Sequence, residues 1–168
     1  AYPEAIAAFS RSLNNMDDPD KEFKKDVQFY LAQARMDYGE VDKAIEVYSE
    51  ILKAGEDEQA FFLRGKAYIS MEDYKNAEKD FQRALEGCED YNLYINIYQI
   101  YVDHNKAVDG DAYLKMALEL EPQDGEDCYH RGRIYEYEKN YEAARDELKT
   151  AMEQGYEDAM LLLGRVYL

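Results

Sequence analysis

The sequence predicts an all-α fold, a solenoid of antiparallel helix hairpins, and three observations carry that prediction. A small residue followed three positions later by an aromatic recurs at Gly65 and Tyr68, at Gly132 and Tyr135, and at Gly164 and Tyr167. Alanine, a bulky residue four on and a small or aliphatic residue three further recur at Ala44, Tyr48 and Ile51, at Ala77, Phe81 and Ala84, and at Ala144, Leu148 and Ala151. The interval is fixed: 33 residues separate Ala44 from Ala77, and 34 separate Gly110 from Ala144. Steps of three and four place each set on one helical face. A period of this length marks units that bury their apolar faces only by stacking on one another.

Each element follows from this register. Residues 1–14 read as a lone second helix, with Ala5, Phe9 and Leu13 in phase. Complete hairpins are expected over 20–54, 57–87, 90–121 and 125–154, and a lone first helix over 157–168. Ala5 and Ala44 lie 39 residues apart, so the stretch from Met16 to Phe23 holds a short insertion. Within it Asp17, Asp18, Pro19 and Asp20 form a turn and a helix start. Short polar links, Met71 to Asp73 and Glu138 to Asn140, suit antiparallel neighbours, and Gly55, Gly87 and Gly155 are expected helix stops. One unit departs from the pattern: Tyr98 stands where the small residue of the first helix belongs, and Gly110 where the alanine of the second belongs. Two accounts are open. Either glycine makes room for the ring, or Asp109, Gly110 and Asp111 delay the helix start.

This arrangement of a leading small-x-x-Tyr helix and a following Ala-x-x-x-aromatic-x-x-Ala helix resembles the tetratricopeptide repeat (TPR). The resemblance runs over nearly the whole chain and implies a single right-handed array. Only Pro122 matches the proline that closes the repeat. A weaker likeness to TPR lipoproteins exported to the envelope of Gram-positive gut bacteria lies in Tyr91 to Tyr98, in Tyr113 to Leu118 and in Gly155 to Ala159. It implies an extracytoplasmic, envelope-anchored location with a lipid-attached cysteine ahead of Ala1; the alternative is cytoplasmic. The run from Gly155 to Ala159 is also similar to Sel1-like repeats. A chain that opens on a second helix and closes on a first helix is expected to be a piece of a longer protein, and its uncapped apolar ends are expected to favour end-to-end homo-oligomers.

Composition narrows the function. A formal net charge of −17 opposes binding to a nucleic-acid backbone or an anionic lipid surface, both of which need positive charge. The sequence has no membrane-spanning apolar run and no signal segment. Cys88 and Cys128 form no paired motif and read as free thiols. Catalysis requires a nucleophile, an acid–base pair or a metal in one place, and nothing sets carboxylates or cysteines at ligand spacing beside His104 or His130. Glu126 and His130, four apart, read as a helix surface pair. Asp109 to Asp111 lacks the acidic ligand series of a calcium loop. No enzyme, cofactor or metal is expected.

Binding is the better reading. In TPR arrays the first helices line the concave face, and the residue after each small position is exposed there. That series is Gln33, Lys66, Gln99, Arg133 and Arg165, none of them acidic in a chain with 37 acids and 20 bases. Phe29, Phe62, Ile95, Tyr129 and Leu161 lie one turn away, of which Ile95 and Leu161 also suit a core, and Asn92 and Asn96 flank the middle. The expected groove (Phe29, Gln33, Phe62, Lys66, Asn92, Asn96, Gln99, Tyr129, Arg133 and Arg165) would hold a protein or peptide of unknown identity, with amides on its backbone and cations on its carboxylates. The same cations could instead pair with acids on neighbouring helices, such as Asp103, Glu126 or Asp158, and set helix spacing. The carboxylate clamp of chaperone-binding TPRs is not reproduced: one register offers Phe29, Gln33, Leu63, Asn92 and Asn96, the other Phe62, Lys66, Asn96, Glu126 and His130. The rival readings are a self-associating envelope spacer, a glycan or small-ligand site at Tyr129 and Tyr137, and a regulatory arm of an enzyme.

Overall fold

The computed structural model describes residues 2–16 and 20–167, which form ten α-helices and no strand. Two compact units divide the chain, Ala1–Cys88 and Glu89–Leu168. The first holds α1 (Tyr2–Asn14), α2 (Lys21–Tyr38), α3 (Val41–Ala54), α4 (Glu58–Ser70) and α5 (Tyr74–Ala84). The second holds α6 (Tyr91–Asp103), α7 (Ala107–Leu118), α8 (Gly125–Tyr137), α9 (Tyr141–Glu153) and α10 (Ala159–Val166). Successive helices pack on one another within each unit, and in the second unit α8 also touches α6, α7 and α10.

The helix boundaries are chemical. Asp20, Asp57, Asp73, Asp90, Asp124 and Asn140 each cap a helix by accepting a hydrogen bond from a backbone N–H of its first turn. Asp17, Asp18 and Pro19, the rest of the expected turn, lie outside the described residues. Within each hairpin the first helix closes the same way. Gly39, Glu72, Asn105 and Lys139 take positive φ, and the two amides at each turn reach back to the last helical carbonyls, as in Asp73 to Tyr68 at 2.9 Å and Asn140 to Tyr135 at 2.8 Å. Among the expected glycine stops, Gly87 and Gly155 are left-handed, whereas Gly55 follows α3 with extended backbone.

The cores form where paired helices approach most closely. In the first unit Leu31, Ala32, Ala44, Val47, Tyr48, Ile51 and Ala60 are buried together, and Ile6, Phe9 and Leu13 of α1 pack on them. In the second, Cys128, Leu148, Ala151, Ala159 and Leu162 form a cluster against which Tyr129 and Tyr156 rest. Glycine sets the spacing. A methyl at Gly65 would lie 2.7 Å from the Phe81 ring, and one at Gly132 would lie 2.7 Å from Leu148 Cγ. Gly110 sits inside α7, so it does not delay the helix. A methyl there would meet Tyr98 Cδ2 at 3.1 Å, as the size exchange requires, but also Tyr101 Cβ at 2.9 Å and the Tyr98 carbonyl at 3.3 Å. The glycine thus admits the α6 backbone as well as the ring. Gly164 has nothing within 4 Å.

An ion pair lies beside two of these contacts. Arg64, just before Gly65, donates to Asp80, just before Phe81, at 2.7 and 2.8 Å, and also to Ser49 Oγ at 3.0 Å. Arg131, just before Gly132, donates to Glu147, just before Leu148, at 2.8 Å. It also donates to the carbonyl of Leu120 at 2.9 Å, which accepts the Tyr91 hydroxyl at 2.8 Å. The α2–α3 and α6–α7 hairpins carry buried apolar residues at the same positions, Leu31 and Val47, Ile97 and Tyr113. Ionic and apolar hairpins therefore alternate.

Three outcomes follow for stability, read from urea denaturation. Gly65→Ala is expected to cost about 1–3 kcal/mol, because the Phe81 ring lies against the packed α4–α5 seam. Asp80→Ala strands the Arg64 guanidinium in a largely buried site and is expected to cost about 3–5 kcal/mol. The double variant Arg64→Leu with Asp80→Val, which copies the Leu31–Val47 solution, is expected to recover most of that loss.

Candidate functional site

The richest polar constellation lies in the second unit, on the first helices of its hairpins. Asp90 caps α6 and so orients Asn92 in its first turn. Asn92 lies 2.9 Å from His130 Nε2 on α8 through its amide nitrogen, and its Oδ1 lies 3.3 Å from Arg133 Nη1. Arg133 Nη1 is also 3.1 Å from His130 Nδ1. The Tyr129 ring sits against the Arg133 guanidinium, 5.8 Å from its centre, and against Tyr156, ring to ring at 5.0 Å. His130 is 5 % exposed. It is thus a buried member of a network and not the surface partner of Glu126 that the i,i+4 spacing suggests; Glu126 Oε1 stands 3.7 Å away. Burial, reinforced by the Arg133 charge, holds the imidazole below its ordinary pKa of 6.5, with Glu126 and Asp90 acting the other way.

The ten residues expected to line a groove divide between the units. In the first, Phe29 and Phe62 are half-buried and lean on Tyr48 and Phe81, with ring separations of 6.3 and 6.2 Å. Gln33 is exposed and donates to Asp37 at 2.7 Å. Lys66 is exposed and its ammonium enters no ion pair among the described residues. In the second, Asn92 and Tyr129 each contact Arg133, Gln99 donates to Asp103 at 2.9 Å, and Asn96 is exposed.

Arg165 behaves as a spacing residue: its guanidinium grips Glu136 on α8 at 2.6 and 2.5 Å. The acid lies on a neighbouring helix, as the pairing alternative expects, and is Glu136. A shallow cleft of about 540 Å³ is lined by Tyr129, Arg133, Tyr137, Asp158, Leu161 and Arg165. Ile95 is core at 2 % exposure, and Leu161 is 82 % exposed. His130 escaped the sequence reading because its burial depends on α6, which lies 38 residues upstream at Asn92. The Arg64 and Arg131 pairs did leave a signal, arginine before glycine and an acid 16 residues later.

The profile of the tetratricopeptide repeat matches residues 58–90 and 128–154, the two stretches with a glycine contact and an adjoining ion pair. Those two stretches carry tetratricopeptide repeats. Solved TPR structures have a similar fold. The C-terminal part of a TPR repeat-containing protein from Cytophaga hutchinsonii aligns with a TM-score of 0.63 at 16% identity, over 98% of this chain and 65% of that one. A thermophilic TPR protein of Thermus thermophilus aligns at 0.54 and 19% identity, over 99% and 90%. YrrB, described as a TPR protein with an unusual peptide-binding site, aligns at 0.50 and 24% identity, over 95% and 82%.

Comparison with curated proteins finds no match. The likeness to exported lipoproteins and to Sel1-like repeats rests on sequence alone. The TPR fold is a scaffold for protein–protein interaction, and the family is generally non-catalytic. Among the described residues no helix is long and apolar enough to cross a membrane.

The buried His130 makes stability depend on pH. Its folded pKa lies below 6.5, so its contribution is complete above that value and is lost as pH falls through 6.5 and then through the folded value. The urea midpoint is expected to drop on acidification from about pH 7.5 to about pH 5. In His130→Gln the part of that drop lying above the carboxylate range is expected to vanish.

Proposed function

We propose that this chain is a non-enzymatic interaction module and that the first helices of its hairpins supply the binding residues. One observation carries the reading: Asn92 and the buried His130 are joined to Arg133, which lines an open cleft together with Tyr129. A hydrogen-bonding cluster at a solvent-open cleft suits an extended peptide or a partner helix. Asn92 and Asn96 would meet backbone groups, Tyr129 would cover an apolar side chain and Arg133 would meet a carboxylate. In the first unit Lys66 and Gln33 occupy the equivalent repeat positions and would contribute there, beside Phe29 and Phe62. Gln99 and Arg165 extend the second-unit set; Arg165 would act partly by holding α10 against α8 through Glu136. YrrB, similar in fold, is described with a peptide-binding site, which is compatible with this use of the scaffold.

The test is affinity capture from the source cell extract with wild type and with Lys66→Glu/Arg133→Glu, after both show equal helicity. The captured protein is then purified and titrated against each bait. The double variant is expected to bind at least about tenfold more weakly, roughly 1.4 kcal/mol. Equal affinity for both baits would remove the first helices as the binding face.

A further inference from the structure

The hydrogen bonding around His130 is one acceptor short. With the Asn92 amide nitrogen toward the ring, Nε2 must accept at 2.9 Å, so the neutral ring carries its proton on Nδ1. That N–H then points at Arg133 Nη1, 3.1 Å away, donor against donor. Turning the amide over lets Nε2–H donate to the Asn92 oxygen and frees Nδ1 to accept from Arg133. The Asn92 NH2 group then stands at the 3.3 Å position beside Arg133 Nη1, again donor against donor. Either arrangement leaves two donors converging where no protein acceptor stands. In the second arrangement both ring nitrogens of the buried His130 are paired, and the surplus donors belong to half-buried Asn92 and Arg133, open to an acceptor from outside the protein. Arg133 is half-buried, its Nε and Nη2 make no hydrogen bond among the described residues, and it opens on the cleft shared with Tyr129.

We propose that Asn92, His130 and Arg133 form a carboxylate site that takes up a proton together with its ligand. Protonation gives the ring two N–H donors. Nε2–H is satisfied by the Asn92 oxygen, and Nδ1–H turns toward the ligand with the Arg133 guanidinium. Two adjacent positive groups repel, Glu126 and Asp90 offset that repulsion only in part, and a carboxylate between them offers one oxygen to each. The charged groups facing the imidazole are Glu126 and Arg133 on α8 and Asp90 ahead of α6; Asp158 and Arg165 at α10 face Arg133 across the cleft. Glu126, at 3.7 Å from Nε2, is too far for a good hydrogen bond and lies on the other ring nitrogen, so it does not replace the ligand. A bound carboxylate favours the protonated ring, and by linkage the protonated ring favours the carboxylate. Affinity therefore rises as pH falls through the imidazole pKa of the complex and levels off below that of the free protein.

This deepens the interaction reading and rests on it only for the partner being a protein. The test uses the whole chain and three capped peptides at constant ionic strength: amidated Ala-Glu-Ala, amidated Ala-Gln-Ala, and Ala-Gln-Ala with a free C-terminal carboxylate. Nuclear magnetic resonance follows the Asn92 amide and the His130 ring. At least one carboxylate peptide is expected to shift both saturably, and which one does so separates a side-chain from a chain-terminal source. Its affinity is expected to rise from about pH 8 to about pH 5.5, by at most roughly tenfold for each unit by which the ligand raises the imidazole pKa. His130→Gln, checked for helicity, is expected to lose that rise. Equal shifts from the neutral peptide, no saturable shift from either acid, or an acid peptide that binds wild type equally at both pH values would each overturn the proposal. The wild-type titration decides even if the variant does not fold. A protein partner lost on Lys66→Glu/Arg133→Glu with no peptide effect would sink this site and leave the interaction reading standing. Peptide binding alongside a partner indifferent to that double variant would do the reverse.

Discussion

The closest approach of paired helices, where a glycine on one meets a bulky side chain on the other, governs the packing of the α4–α5, α6–α7 and α8–α9 hairpins. At Gly65 the Phe81 ring occupies the space a methyl would need, and at Gly132 Leu148 does the same. Both contacts bring two backbones together without a cavity, which is what close packing requires. In α6–α7 the partners are exchanged: the glycine lies on the second helix, and Tyr98 and Tyr101 lie on the first. The constraint is thus on the distance between the helices, and which helix of the hairpin supplies the small residue is free to change.

That distance determines what neighbouring positions can hold. The residue before each small position faces the seam and must be apolar or fully paired. Arg64 with Asp80 and Arg131 with Glu147 take the paired solution, and Leu31 with Val47 takes the apolar one. A buried pair adds little net stability over an apolar contact, but each arginine here also reaches another hairpin, Arg64 through Ser49 and Arg131 through the Leu120 carbonyl. The residue after the small position is turned away from the seam. Lys66 is exposed, and Arg133 is half-buried at a cleft edge. The packing of the hairpin and the presentation of its binding residues are therefore consequences of one glycine contact.

The candidate site was legible only in part. Asn92, Tyr129 and Arg133 could be singled out by their positions relative to the small residues, and Asn92 and Tyr129 each meet Arg133. His130 could not be placed, because its nearest sequence partner, Glu126, suggested a surface pair while its actual partners come from α6 and from one turn further along α8. Arg165 was legible as a cation of the same series but not as a partner of Glu136, since the pairing depends on how α10 leans on α8.

The sequence by itself determined the all-α class, the helical-hairpin unit and its period, because these follow from spacing along a single helix and from the short polar links between helices. It also marked Gly110 as exceptional. Only the tertiary structure decided that Gly110 lies within α7 and admits the α6 backbone, that ionic and apolar seams alternate, and that His130 is enclosed with donors in excess. Those properties depend on distances between helices, and a distance between helices is fixed by side chains far apart in the chain.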